Sequence, residues 1–476
     1  MAATLARAGW FVALVLACGW AGARIDPPWP VTSRASQTLD SAAYVWHERW
    51  PEDLAAQAAA FDGALWIKAG ELRRAAHGWD ASPVAPDWEA LQNAIQSHRA
   101  GQPRQVVLVI RVDERGGPLE TPGELAEHVA QQWRLARASA EAVGASSLDV
   151  VGLQVDFDCP SRRLKGYACE LVRLRGSLGA GVRMSITALP AWLDRPGFAA
   201  VTRACDAFVL QVHALRPPTA IDAIPPLVDP ERAGRWVERA ARYGRPFTVS
   251  LPTYSVRLRF DAQGSFVSRA RLQERPDPSF QAGERAVVLE PDAASLAGLI
   301  LQWRDDRPSG MTGVAWFRIP EPGAELAWPV ETLLAVADGR EPVRQVELEV
   351  RTPRAGLLEV VAVNRGETRE PVGASISLNG LSPEALHGRA GVFRDSPVGW
   401  DWRAVGDALV LIPGESVALT LGPGGERVMM WVSAPEGVGL ASPTGPSADW
   451  GASGSSSQRK EPWRGPTESG IGSASP

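Results

Sequence analysis

The feature that most constrains the fold is an alternation, sustained from residue 41 to about 338, of short apolar segments with longer segments of helical periodicity. The apolar segments are SAAYVWHERW (41–50), ALWIKAGEL (64–72), QVVLVIRVD (105–113), VVGLQVDFD (150–158), RMSITAL (183–189), AFVLQVHAL (207–215), PFTVSLPTY (246–254) and TGVAWFRIP (312–320). Each has the length and the β-branched or aromatic content of a strand. The stretches between them carry helix start signals. Thr121-Pro122-Gly123-Glu124 supplies an N-cap, a proline at the first helical position and a capping-box glutamate, with Leu125, Val129, Trp133 and Ala136 following at helical spacing. Asp229-Pro230 does the same before Trp236, Val237 and Ala240. Eight strands alternating with helices over roughly 300 residues match a parallel (β/α)8 barrel better than an open sheet, so the expected class is α/β, a TIM-like barrel over 41–338. Residues 255–292 read as an oversized, polar insertion before the eighth strand.

The flanks have other textures. MAATLARAGWFVALVLACGWAGAR combines Arg7, an apolar stretch from Trp10 to Ala17 and small residues, the pattern of a secretory signal over 1–23 that is too short to span a bilayer. Ala21-Gly22-Ala23 suits ordinary cleavage, while Val15-Leu16-Ala17-Cys18 approximates a lipoprotein box; Leu16 is large for that box, which favours export over lipidation. The expected location is the periplasm or envelope, with a membrane contact only through an N-terminal lipid anchor. Residues 343–435 hold short, alternating, β-branched runs bounded by Gly, Pro or Asn, and read as a small antiparallel β-sandwich. Residues 440–476, rich in Gly, Ser and Pro, read as a disordered tail.

Composition narrows the partners. A formal net charge of -5, without a basic run interleaved with aromatics, argues against nucleic acid. Nineteen tryptophans is a high count; most belong to the core, and the number leaves material for a sugar-stacking surface. Beyond Cys18 there are Cys159, Cys169 and Cys205; an exported protein could pair Cys159 with Cys169, and the spacing fits no zinc site. No cofactor or metal is expected.

Within the fourth apolar segment, VVGLQVDFDCP places Asp156 and Asp158 two apart. Alternation puts Gln154, Asp156 and Asp158 on one face and Val155 and Phe157 on the other. If the apolar pair faces the helices, both carboxylates point into the barrel near its C-terminal mouth, where barrel enzymes keep their chemistry. Two such charges about 6 to 7 Å apart do not both ionise freely, and one pKa should rise. An acid beside a carboxylate is the tool of glycoside cleavage. The ordinary structural reading is a turn cap for Asp158, or a buried salt bridge with an arginine for either residue.

Other strand ends supply company: Trp46 with Tyr44 and Glu48, Glu71, Arg111 with Asp113, Gln211 with His213, Tyr254, and Trp316 with Arg318. Singly, each has a plain explanation: His213 a hydrogen-bonded core histidine, Trp316 a barrel plug, Arg111 a structural partner of Asp113. Together, carboxylates, amide, imidazole, phenol and indole converging on one mouth resemble a sugar-binding cleft.

YVWHERW, LQVDFDCPSRRLKGYACELVRLRGSL, SITALPAWL and LQVHAL resemble the bacterial Domain of unknown function 3142 family. A looser resemblance is to chitinase-type barrels, which implies an aspartate-rich motif on strand four, a polar-aromatic pair on strand six and a tryptophan on strand eight. Asp156, Asp158, Gln211 and Trp316 stand at comparable places. The departure is Pro160, which occupies the position where that motif carries its acid glutamate. Another acid (Glu71, Asp113 or Asp158 itself) must then protonate the leaving oxygen, or the cleft binds without cutting.

Two functions follow. The first is an exported glycoside-hydrolase-like protein acting on a polysaccharide or glycan, with Asp158 as acid or electrostatic stabiliser, Asp156 tuning it, Trp316 as stacking platform, and Gln211, His213 and Tyr254 holding hydroxyls. The second is a non-catalytic glycan-binding or envelope-assembly protein on an inactive barrel. Metal-dependent hydrolysis through the Asp pair and His213 lacks a supporting histidine spacing.

Overall fold

The computed structural model describes residues 39–433 and 458–461, apart from 52, 76–77, 99–102, 115–122, 145–146, 180, 214–216, 271–282, 325, 355–356, 373–375, 380–399, 406–407 and 414–418. The signal segment and Cys18 lie outside the described residues. The chain divides into two compact units. The first comprises residues up to Ala214 with Val228–Thr253 and Leu299–Pro322, and the second comprises Leu215–Leu227, Tyr254–Gly298 and Gly323 onward.

In chain order the first strands are β1 (Asp40–Val45), β2 (Ala64–Ala75), β3 (Gly78–Pro83), β4 (Arg104–Asp113), β5 (Leu148–Phe157), β6 (Arg183–Ala188), β7 (Ala207–Gln211), β8 (Phe247–Pro252), β9 (Val256–Phe260), β10 (Phe266–Ala270), β11 (Arg285–Leu289) and β12 (Met311–Phe317). In the first unit, β1, β2, β4, β5, β6, β7, β8 and β12 pair in parallel in that order, and β1 pairs in turn with β12, so the ring closes as the expected eight-stranded barrel. The hairpin strand β3 is an addition: β2 runs on past its expected end at Leu72, and β3 returns antiparallel along its C-terminal half, from Gly70 opposite Pro83 to Ala75 opposite Gly78.

Side-chain alternation sorts the barrel. Ala42, Tyr44, Trp66, Val107, Val109, Val209 and Ala315 form one interior cluster, with Trp46, Val151 and Phe317 packed at its edges. On β5, Phe157 points the other way and meets the Tyr167 ring of helix Leu164–Ser177 edge-on at 5.2 Å. Gln154 is fully buried inside; its amide donates to Tyr44 Oη at 2.7 Å and Thr187 Oγ1 at 3.0 Å, tying β5 to β1 and β6. These two bonds replace the water contacts of the amide nitrogen, while among the described residues Oε1 has no partner.

Helix starts follow the sequence at one site and depart from it at another. Asp229 caps Pro230–Ala241, accepting from Arg232 N at 3.0 Å. For Glu124–Ala142, Thr121 and Pro122 lie outside the described residues, and the N-cap is Gly123 at φ 96, a left-handed conformation that a side chain would strain. Its free amides are satisfied from a neighbouring helix: Glu170 accepts from Gly123 N at 2.6 Å and Ala126 N at 3.1 Å.

The second unit gathers the remaining strands: β13 (Val346–Arg354), β14 (Leu357–Asn364), β15 (Glu370–Val372), β16 (Ile376–Asn379), β17 (Trp400–Val405), β18 (Ala408–Pro413), β19 (Leu419–Leu421), β20 (Glu426–Ser433) and β21 (Gln458–Glu461). Every pairing among them is antiparallel. The 255–292 insertion supplies β9, β10 and β11, whose Val256, Leu258, Phe260, Val287 and Leu289 form a core with Ile224 and Leu227. Gln458–Glu461 lie inside the segment expected to be a disordered tail, yet they pair antiparallel with β11. The rest of that tail lies outside the described residues.

Candidate functional site

Register sets a row of charged residues at the C-terminal end of the barrel. Glu71 of β2 is opposite Arg111 of β4, and Arg111 is opposite Asp156 of β5. The β2–β4 register shifts between Lys68 and Gly70, a bulge that turns Glu71 onto the same side as Lys68 three residues earlier. Without that shift, alternation would place Lys68 and Glu71 on opposite faces.

Arg111 holds both carboxylates of the DFD run. Its Nη1 donates to Asp156 Oδ2 at 2.8 Å and its Nη2 to Asp158 Oδ2 at 2.9 Å. Asp156 lies beneath the rim with its side chain 11% exposed, whereas the Asp158 side chain is 50% exposed. Burial raises the Asp156 pKa above the usual carboxylate value; Arg111 opposes this, Asp158 adds to it, and the Thr187 hydroxyl bond opposes it. The expected rise in one of the pair is present, with burial rather than the neighbouring charge as its main cause. Burial lowers the Arg111 pKa, but the two carboxylates outweigh it and hold the guanidinium firmly charged.

Beside this clamp is a second network. Lys68, nearly buried, donates to Glu71 at 2.6 Å and to Glu48 at 3.4 Å, and its ammonium lies 5.6 Å from the Trp46 ring centroid. Arg73 donates to the other Glu71 oxygen at 2.6 Å. Burial would raise the Glu71 pKa, but the Lys68 and Arg73 bonds overcome it and hold the carboxyl below its ordinary value. Glu71 is therefore an ion-paired anion, unsuited to donate a proton.

Across the mouth the residues separate. Gln211 continues the interior face of Val209 and is half-buried. His213 is buried, with Nε2 3.2 Å from Ser250 Oγ and its ring 5.8 Å from that of Phe317; burial pushes its pKa down to about 3, so it is neutral. It is a core histidine rather than an exposed hydroxyl-holding group. Trp316 is also misplaced by the sequence reading. It is fully buried and flanked by Ala315 and Phe317, which take the interior positions, so it faces the helical layer. Phe317 is the aromatic of β12 that enters the barrel, with ring centroids 5.3 Å from both Tyr44 and Trp46. Tyr254 belongs to the second unit, where it packs on the Val256–Leu258–Phe260 core.

Of the sequence candidates, the structure thus brings together Asp156, Asp158, Arg111, Glu71 and Trp46 around one end of the barrel, with Gln211 on the same inner face. Lys68, Thr187, Ser250 and Phe317 were not anticipated, although Ala64-Leu65-Trp66-Ile67-Lys68 carries the alternation that places Lys68 inside. Among the described residues, no group of three or more His, Cys, Asp or Glu could hold a metal ion. Cys159, Cys169 and Cys205 are not joined to one another by disulfides, so the Cys159–Cys169 bridge left open by the sequence is not made. No described helix is long and apolar enough to cross a membrane. A cleft of about 320 Å³ lined by Trp133, Asp149, Val151 and Arg183 lies where β5 and β6 begin, at the end of the barrel opposite the acidic row.

Comparison with known proteins bears out the family resemblance over the barrel: residues 102–322 match the family described as Domain of unknown function (DUF3142). No curated protein matches the sequence. Among solved structures, the chain is similar to the spore cortex-lytic enzyme SleL of Bacillus cereus, at 16% identity and TM-score 0.40 over 63% of this chain and 74% of that one. It is similar to a chitinase from Chromobacterium violaceum at 13% identity and TM-score 0.40, over 63% of this chain and 99% of that one. A putative sporulation-specific glycosylase, YdhD of Bacillus subtilis, aligns at 15% identity and TM-score 0.33 over 52% of this chain and 89% of that one.

Proposed function

We propose that the C-terminal mouth of the barrel is a glycan-binding cleft, that the protein is exported, as its amino-terminal pattern suggests, and that it acts as a glycan receptor. The observation that carries the receptor reading is the two-pronged Arg111 clamp. The carboxyl with a raised pKa, Asp156, is beneath the rim, and the reachable one, Asp158, is ion-paired to a guanidinium. Neither is arranged as an accessible proton donor. Half-buried Trp46 offers an apolar ring edge, while Arg111, Asp158, Glu48 and Gln211 offer donors and acceptors to sugar hydroxyls.

A second reading, hydrolysis, is favoured by one observation: a carboxyl with raised pKa sits two residues from an ionisable neighbour on the same face, the pairing that glycoside cleavage uses. Release of Asp158 from Arg111 by substrate would supply the acid. The test is binding and turnover on a panel of polysaccharides for the wild type, Trp46→Ala and Asp158→Asn. The receptor reading expects affinity that Trp46→Ala weakens and no product in any case. Product formation lost in Asp158→Asn with affinity kept would replace it by the hydrolase reading, and absence of binding to every glycan overturns both.

A further inference from the structure

At the junction of β1 and β12 are two buried polar side chains that the mouth described above does not use. His47 is 3% exposed, and among the described residues neither ring nitrogen has a hydrogen-bond partner. Arg318 is 5% exposed; its Nη1 donates to the Trp46 carbonyl at 2.5 Å, and its Nη2 has no partner among the described residues. Among the described residues no carboxylate lies within ion-pair distance of Arg318. The Trp46 bond places the guanidinium beside the residue that precedes His47, and the two side chains sense each other electrostatically.

Buried donors without partners cost about 1–3 kcal/mol each, and more for a charged group, so a fold that retains two of them side by side calls for an acceptor. The groups specify that acceptor. Arg318 Nη2 offers N–H donors on a planar, permanently charged fork, and neutral imidazole offers one more N–H. An anion with two or more oxygens satisfies both at once, which a neutral hydroxyl does not.

We propose that His47 and Arg318 form a receptor for an anionic substituent, a carboxylate or a phosphate, carried by the glycan that the adjoining mouth binds. The placement supports the carrier. Trp46 precedes His47 and Phe317 precedes Arg318, and these two rings pack 5.3 Å apart at the barrel interior. The link between the pair and the mouth is the Arg318 bond to the carbonyl of Trp46, a residue that is itself half-buried. The proposal rests on the glycan reading for the carrier alone; the anion chemistry stands without it.

Binding carries a signature that a merely structural pair lacks. Burial, and then the charge of Arg318, hold the His47 pKa down to about 3, so the ring is neutral. Among the described residues, the carboxylate whose field reaches Arg318 is the exposed Glu321, with Glu48 next in sequence to His47 and also largely exposed. An anion seated between the two side chains cancels the guanidinium field and raises the His47 pKa, so binding takes up protons and grows stronger as pH falls.

The full chain is titrated with a hexuronate oligosaccharide, the neutral hexose oligosaccharide of the same length, glucuronic acid and inorganic phosphate. Affinity is read by calorimetry, and the ring nitrogens of His47 by NMR, assigned through His47→Gln. The acidic oligosaccharide is expected to bind about 10-fold or more tighter than the neutral one and to shift the His47 signals; Arg318→Gln removes the preference, and Arg318→Lys keeps part of it. The glucuronic acid and phosphate arms tell which anion fits. Should Arg318→Gln fail to fold, the wild-type NMR titration decides alone. Equal affinity for acidic and neutral oligosaccharides overturns the anion site and leaves the glycan reading intact. His47 signals moved by glucuronic acid or phosphate, with no oligosaccharide bound, overturn the glycan reading and keep the site. Signals unmoved by every anion overturn the proposal.

Discussion

Arg111 and Asp156 stand opposite each other on adjacent parallel strands, and their 2.8 Å ion pair allows a carboxylate to persist beneath the rim of the barrel. Asp158 receives the other prong of the same guanidinium, so the charge that stabilises the buried acid also restrains the exposed one.

Removing the guanidinium strands Asp156. Arg111→Met should cost about 3 kcal/mol of stability at neutral pH, because a buried carboxylate is left with the Thr187 hydroxyl and no counter-charge. Arg111→Met combined with Asp156→Leu should recover much of that loss. Urea midpoints of the single and double variants check it, and a double variant no more stable than Arg111→Met would show that the ion pair is not the source of the cost.

The pH dependence of Asp156→Asn has a fixed sign. Asp156 has a folded pKa raised above its unfolded 3.8, chiefly by burial, so its contribution is fully present below 3.8 and is lost as pH rises through the folded value. Asparagine does not titrate. Relative to the wild type, the variant should therefore gain stability as pH rises from about 3.8, and denaturation series at stepped pH measure the trend. A variant that instead lost ground over that window would reverse the assignment.

Glu71 behaves oppositely. Burial would raise its pKa, but the Lys68 and Arg73 hydrogen bonds hold it below 4.5, so its contribution is present above 4.5 and is lost as pH falls through the folded value. Glu71→Gln also leaves the nearly buried Lys68 ammonium with only Glu48, at 3.4 Å. We expect a loss of roughly 3 kcal/mol at pH 7, with the gap to the wild type narrowing below pH 4.5. A gap independent of pH would mean that the carboxylate charge plays no part.

The barrel, its strand order and the inward aspect of Asp156 and Asp158 were legible because they rest on alternation, which survives any packing detail. Errors arose where a single residue of phase matters. On β12 the inward aromatic is Phe317 rather than Trp316, and a run of TGVAWF is apolar on both faces, so the pattern gives no parity. On β2 the bulge after Lys68 resets the phase, and its one local sign is Gly70, a glycine inside a strand. Glu170 capping a different helix is a long-range event that a motif such as Thr121–Glu124 cannot encode. The sequence also could not tell His213 in a core from His213 in a cleft, since both follow β7 in the same way.

The β12 correction separates stability from binding. Trp316 is fully buried in the outer layer, so Trp316→Ala should cost about 3–5 kcal/mol of stability and leave glycan affinity unchanged under conditions where the protein stays folded. Phe317 and Trp46 meet inside at 5.3 Å, and Phe317→Leu should weaken affinity while costing about 1.5 kcal/mol or less. Chemical denaturation and calorimetry on both variants read the two quantities independently. If Trp316→Ala lowered affinity and Phe317→Leu did not, the inward aromatic would have been misassigned.

The two buried histidines set the acid limit. Burial holds His213 at about 3, and burial with the Arg318 charge holds His47 at about 3, against 6.5 in the unfolded chain. Between pH 6.5 and 3 the unfolded state binds more protons, so stability falls as pH drops, by about 1.4 kcal/mol per histidine for each pH unit below 6.5. At pH 5.5 the pair together removes about 3 kcal/mol relative to pH 8. Wild-type NMR should show the His47 and His213 ring signals unmoved from pH 8 to 5.5. Denaturation midpoints should fall over the same range. His213→Phe should flatten about half of that slope, and a slope unchanged in this variant would place the protonation elsewhere.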